Sequence, residues 1–243
     1  MKSTTRISCV LAIASLFLAA CGSSHNDTVT GKGSIRAINA APDIGVASFL
    51  IEELPLGSLD FKEISGTAGY DDLQYDFNFD LFLPGDVEAT RLMTHSLQVA
   101  TDLEYTFALA GTFESCELFL WEQFGRDWAT ELANADSAGT VISVLEVSFG
   151  HVASSLGAVD AYLKTPGTSP EFATPRGTLN YGNFVAAAEI QTGNYQFILA
   201  EAGDPTNILF ASNPFFLSAA SDLITIMGDG GTSTDDISIR LMG

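Results

Sequence analysis

The sequence predicts an all-β protein: two tandem immunoglobulin-like β-sandwich domains behind an export signal and a short flexible tether. From Gly33 onward, short apolar runs are broken at regular intervals by Gly, Pro, Asn and Asp, and hardly any segment carries a helical stripe. A weak internal repeat gives the domain count.

The clearest strand covers residues 72–82, where Leu73, Tyr75, Phe77, Phe79 and Leu81 alternate with Asp72, Gln74, Asp76, Asn78 and Asp80. Strand composition recurs at 35–40, 46–51, 104–110, 117–121, 141–149, 158–163, 195–200, 223–227 and 237–241. Turn signals between these runs predict sandwiches.

Gly66-Thr67-x-x-Tyr70 returns as Gly177-Thr178-x-x-Tyr181, and the strand from Val46 to Leu50 answers to that from Val159 to Leu163. Gly85-Asp86 pairs with Gly193-Asn194, and Thr101-Asp102-Leu103 with Ser221-Asp222-Leu223. Collinear matches at about the 100-residue size of one sandwich predict domains at 33–127 and 140–243. Residues 128–139, rich in Ala, Asn, Asp and Ser and ending at Gly139, read as a linker.

Ahead of the sandwiches, Lys2 and Arg6 precede an apolar run from Ile7 to Ala20, the plan of a secretory signal. That run contains Ser8 and Ser15 and falls short of the roughly 20 apolar residues that span a bilayer. Leu18-Ala19-Ala20-Cys21 then supplies a branched apolar residue, two small residues and a thiol. These four residues resemble the lipobox of bacterial lipoproteins. The resemblance implies removal of residues 1–20, a lipid on the sulfur of Cys21 and, with Gly22 rather than Asp next, an outer-membrane destination. Residues 21–32 are small and polar, as a tether requires.

The whole chain has ten Lys and Arg against thirty Asp and Glu, a formal charge of −20. Such an acidic balance excludes a nucleic-acid partner. The expected partners are the membrane, through the lipid on Cys21, and an envelope protein or glycan. Cys9 leaves with the signal and Cys21 is lipidated, so Cys116 has no cysteine to pair with in the mature chain.

The repeat also resembles the bacterial family called domain of unknown function 4397, β-sandwich domains of exported proteins. Ala40-Ala41-Pro42-Asp43, Val159-Asp160-Ala161-Tyr162, Gly193-Asn194-Tyr195 and the run from Tyr105-Thr106 to Gly111 carry the likeness. Ala47, where a strand Asp is expected, and Ser154-Ser155-Leu156 depart from it. The resemblance implies no catalytic residue.

Individual residues point weakly to chemistry. His25 lies in the tether, and His95 and His151 sit in or beside strands, where a solvated or hydrogen-bonded role is expected rather than catalysis or zinc binding. Cys116 alternates with Leu118 and Leu120 and reads as a buried small hydrophobe. Asp76, Asn78 and Asp80 stand about 6.6–6.8 Å apart along a strand, too far to chelate one ion, and read as a solvated face. The loop from Asp229 to Asp236 reads as an acidic hairpin loop, with calcium as the alternative. Chance pairs among thirty acids give a carboxylate-based hydrolase little support. Trp121, Phe124 and Trp128 could stack on a sugar or partner, or pack between the domains; both readings stand open. The expectation is a non-enzymatic surface scaffold or interaction module with no cofactor and no metal, its one assigned site Cys21. A carbohydrate- or peptide-binding module is the alternative.

Overall fold

A computed structural model describes residues 29–81, 90–125, 128–218, 222–228 and 237–242. Cys21, the tether up to Thr28 and the loop from Asp229 to Asp236 lie outside the described residues.

The first half contains β1 (Lys32–Asn39), β2 (Ala47–Ile51), β3 (Leu54–Leu59), β4 (Ala68–Asp71), β5 (Gln74–Leu81), β6 (Thr90–Gln98), β7 (Leu103–Thr112) and β8 (Ser115–Phe124). One sheet has the order β4-β1-β7-β8, with β1 and β7 parallel; the other has the order β3-β2-β5-β6. Between them lies an apolar core that includes Ile35, Phe49, Phe77, Phe79, Tyr105 and Phe107. Phe77 and Phe79 come from the strand whose alternation is plainest in the sequence, and both rings pack on Phe107, at 4.5 and 5.7 Å.

The second half repeats the plan with β9 (Val144–His151), β10 (Val159–Lys164), β11 (Gly177–Leu179), β12 (Phe184–Gln191), β13 (Gly193–Glu201), β14 (Asp204–Ala211), β15 (Phe215–Leu217), β16 (Leu223–Gly228) and β17 (Ile237–Met242). Its sheets have the orders β12-β9-β16-β17 and β11-β10-β13-β14, with β15 beside β13 and β9 again parallel to β16. Leu145, Phe149, Phe197, Leu199 and Ile224 belong to its core.

The two sandwiches stack sheet on sheet, so four layers follow one another. Ile35 and Ala37 face the first core while Ile38 faces the second half; Phe107 and Leu109 face inward while Ala108 and Ala110 face outward. Opposite them stand Val152, Leu223, Met227 and Met242. Strands buried on both faces cannot alternate apolar with polar, which explains the almost unbroken burial of β7 and β16.

The two halves share a strand plan, but the register that relates them differs from the one the motifs suggest. Lys62 donates its N–H to Asn39 O at 2.7 Å, as Gly182 does to His151 O, also at 2.7 Å, and both carry positive φ, +67° and +80°. Gly57-Ser58-Leu59 on β3 is therefore the counterpart of Gly177-Thr178-Leu179 on β11; each pairs with the second strand of its half. Gly66-Thr67 leads instead into β4, in the other sheet. The first-half counterpart of Asp160 is Ser48, not Ala47, because Ala47 and Val159 both face their cores. A shift of one residue turns a strand's side chains to the opposite face.

Residues 128–139 also differ from expectation, forming helix α1 (Trp128–Ala138) instead of an irregular connector. Gly139, which reads as loop, ends the helix: at φ +65° it lets Thr140 N–H reach Ala135 O at 2.9 Å. Among the helix side chains described, Ala135 alone is buried.

Candidate binding site at the junction of the sandwiches

Because Ile35 and Ala37 point into the first core, Arg36 between them points at the second half, where it is 2% exposed. Its Nε donates to Thr106 Oγ1 at 2.9 Å, and its Nη1 donates to both carboxylate oxygens of Asp222 at 3.0 Å. Nη2 stands 2.5 Å from Glu104 Oε1, which also accepts from Gln123 Nε2 at 2.9 Å. Asp222, just before β16, is the second half's contribution. Burial pushes the Glu104 carboxyl up to about 7; Arg36 opposes that rise and Asp222 adds to it. Two carboxylates and one guanidinium thus share a buried space between the sheets.

Trp121 closes the joint on β8. It is 4% exposed, stacks on Phe184 with centroids 5.8 Å apart, and donates from Nε1 to Gly182 O at 2.9 Å. The ring lies across Gly150, where a Cβ would stand 2.4 Å from it; Phe119 lies as closely over Gly182. Inter-domain packing is therefore the role of Trp121. Phe124, three residues on, is 84% exposed. The side chain of Trp128 is outside the described residues.

Phe124 stands over a trough between β8 and β12, the edge strands of the two stacked sheets. A hollow of about 470 Å³ has Leu103, Phe184, Ala186 and Ala187 on its apolar walls and Glu122 and Glu146 at its rim. An adjoining hollow of about 340 Å³ shares Phe124 and Glu146 and adds Glu131 and Glu189. In β12 the pairing with β9 shifts between Val185 and Ala188, a bulge that leaves Ala186 and Ala187 exposed.

Other residues singled out by the sequence lie apart from this junction. Cys116 is half-buried beside Leu118 and Leu120 against the first core, and burial, with Asp43 and Glu117 nearby, pushes its thiol up to about 11. His95 is exposed on β6. His151 is fully buried: Nε2 faces Gly157 O at 3.2 Å and Nδ1 accepts from Ala153 N–H, so burial holds its pKa below the ordinary value. The row Asp76, Asn78, Asp80 is not a simple solvated face, because Asn78 is buried, donating to Glu53 Oε1 at 3.0 Å and accepting from Thr94 Oγ1 at 2.7 Å. Arg91 bridges Glu53 and Asp80 over it. Among the described residues, no group of three or more His, Cys, Asp or Glu is placed to hold a metal ion.

Sequence reasoning missed Arg36, Glu104 and Asp222. A charged residue inside an otherwise apolar strand, as in Ile35-Arg36-Ala37-Ile38, was the available signal.

The chain matches no family profile and no curated protein. Among solved structures it is similar to a DUF3823 family protein from Bacteroides ovatus, at 9% identity over 77% of this chain and 99% of that one, with a TM-score of 0.18.

Proposed function

We propose that this is a lipid-anchored protein of the bacterial cell envelope that performs no reaction and holds a partner through a rigid pair of sandwiches. The observation that carries this reading is the use made of the buried charged side chains at the junction. Arg36, Glu104 and Asp222 are spent on joining the two halves, and Trp121 seals the same seam. A body joined in this way keeps a fixed surface across both sandwiches, which suits a scaffold or interaction module. A sugar platform built on Trp121 loses its support, since that ring is covered by Phe184.

The Leu18 to Cys21 motif, the polar tether and the likeness to domain of unknown function 4397 support the address: a lipid on Cys21 and display from an outer membrane. Cys21→Ser should move the protein from the membrane fraction to the soluble one; unchanged retention would overturn the anchor. For the interaction itself, a photo-crosslinking phenylalanine analogue placed at position 124 in intact cells should yield one discrete adduct. The same group at position 58, on the outer sheet of the first sandwich, should not. No adduct at 124, or the same adducts at both, rejects the reading.

A further inference from the structure

We infer that the trough between β8 and β12 binds an extended, basic segment of another protein, which lies along the strand edges and presents Lys or Arg to the rim and an apolar side chain to Phe124. The inference rests on the interaction reading above and names its partner's chemistry.

The first observation is backbone supply. β8 ends the order β4-β1-β7-β8 and β12 begins the order β12-β9-β16-β17, so among the described residues each strand offers along the trough an edge that its own sheet does not pair. An edge strand's outward N–H and C=O groups are a template for an added strand. β8 keeps a regular register with β7 along its whole length and so supplies the continuous edge, while the bulge at Ala186 and Ala187 breaks the ladder of β12 and leaves small side chains on the opposite wall, beside which a second backbone fits.

The second observation is charge. Every charged residue among the described residues that line the two hollows is a glutamate: Glu122 and Glu146 in the first, Glu131, Glu146 and Glu189 in the second. Carboxylates on both walls favour a cationic occupant and repel an acidic one. The long stems of Lys and Arg suit such a site, because they lie on apolar surface while their charged heads reach the rim.

The third observation is the anchor. Phe124, at 84% exposure, is the most exposed aromatic ring among the described residues, and it belongs to both hollows. Leu103, Phe184 and the two alanines give an apolar side chain a floor beside it. A volume of about 470 Å³ is within the usual range of pockets, roughly 300–1,000 Å³. The trough draws one wall from each sandwich, so its shape depends on the joint made by Arg36, Asp222 and Trp121.

The test uses the full-length protein in nanodiscs of neutral phosphatidylcholine and fluorescent, end-blocked heptapeptides of alternating Lys and Val, read by anisotropy. Saturable binding is expected, weakened by about thirtyfold in Phe124→Ala, as for a central aromatic anchor, and by about tenfold in Glu122→Gln with Glu146→Gln. A Glu-Val peptide and a backbone N-methylated Lys-Val peptide should not bind. Equal binding to the protein and its variants would mean general attraction to an acidic surface and would overturn the proposal. So would equal binding of the N-methylated peptide, or saturable binding of a soluble oligosaccharide in place of the peptides. If the crosslink at position 124 forms but the peptides do not bind, the interaction reading survives and this inference fails. If neither occurs, both fail.

Discussion

Asn39 and His151 hold the same place in the two sandwiches. Each ends the first strand of its half and accepts a hydrogen bond from the backbone N–H two residues on, Ala41 for Asn39 and Ala153 for His151. Each also reaches across the following loop to a glycine carbonyl, Asn39 Nδ2 to Gly45 O and His151 Nε2 to Gly157 O, both at 3.2 Å. An amide and a neutral imidazole can both make this clasp because each offers an acceptor and an N–H donor; the amide has a second N–H, which Asn39 donates to Leu59 O at 3.0 Å. The imidazole tautomer follows from its partners: Nδ1 accepts, so Nε2 carries the proton.

A protonated His151 would turn Nδ1 from acceptor into donor against the Ala153 N–H, in a site with no exposure. Its folded pKa lies below the ordinary 6.5, so the unfolded chain binds the proton first and stability falls as pH drops below about 6.5. His151→Asn should keep the clasp and remove this loss, while His151→Ala should cost about 2–4 kcal/mol through its unmade hydrogen bonds and the space it leaves. Urea unfolding of the three proteins at pH 8 and pH 5.5 checks this; an unchanged pH difference in His151→Asn would refute it.

Glu104 works in the opposite direction. Its folded pKa, about 7, lies above the ordinary 4.5, so its contribution to stability is greatest below pH 4.5 and is lost as pH rises to about 7. Between those limits it offsets His151, and the intact protein should show a flatter profile than either variant alone. Glu104→Gln mimics the protonated carboxyl: it should be more stable than the parent at pH 8 and level with it near pH 4.5. A Glu104→Gln protein that is less stable at pH 8 would show that the charged pair with Arg36 outweighs burial.

Asp222→Ala removes the carboxylate that, among the described residues, the second half gives to Arg36. A buried charge that loses a partner costs about 3–5 kcal/mol, here with Glu104 still beside the guanidinium to soften the loss, so the lower end of that range is expected. Combining it with Arg36→Met should recover part of the cost. Additive losses in the double variant, measured by chemical unfolding, would show that the two side chains do not act as a pair.

How legible this structure is in the sequence depends on where a strand sits in its sheet. The interior strands β1, β2, β5, β7, β9, β10, β13 and β16 all coincide with predicted runs, because two neighbours and a core select apolar, β-branched or aromatic residues. The strands the sequence does not reveal are β3, β4, β6, β11, β12 and β14, each at the edge of its sheet, and the short β15. Edge strands tolerate Pro55 and Pro205, and β12 reads Phe-Val-Ala-Ala-Ala-Glu-Ile-Gln, with a helix-like composition that sheet pairing overrides. The trough is half hidden for the same reason: its β8 wall coincides with the predicted run at 117–121, but its β12 wall does not show in the sequence. Trp121 and Phe124 are legible as a pair of aromatics but not as opposites; only the stacking of the sandwiches buries one and exposes the other.

That stacking depends on Gly150 having no side chain. A Cβ there would sit 2.4 Å from the Trp121 ring, which is itself fixed by Phe184 on one face and the Gly182 carbonyl at its Nε1. Gly150→Ala must therefore push the ring out or part the sheets, at about 1–3 kcal/mol, the usual cost of overpacking. Trp121→Ala should cost about 3–5 kcal/mol. In the double variant the methyl group fills part of the space the ring has left, so the combined loss should fall short of the two single losses added together. The chain has two tryptophans, so in a Trp128→Phe background Trp121 reports its own surroundings: its emission should shift to longer wavelength in Gly150→Ala as water reaches the ring. An unshifted spectrum together with strictly additive losses would mean that Trp121 does not rest on Gly150.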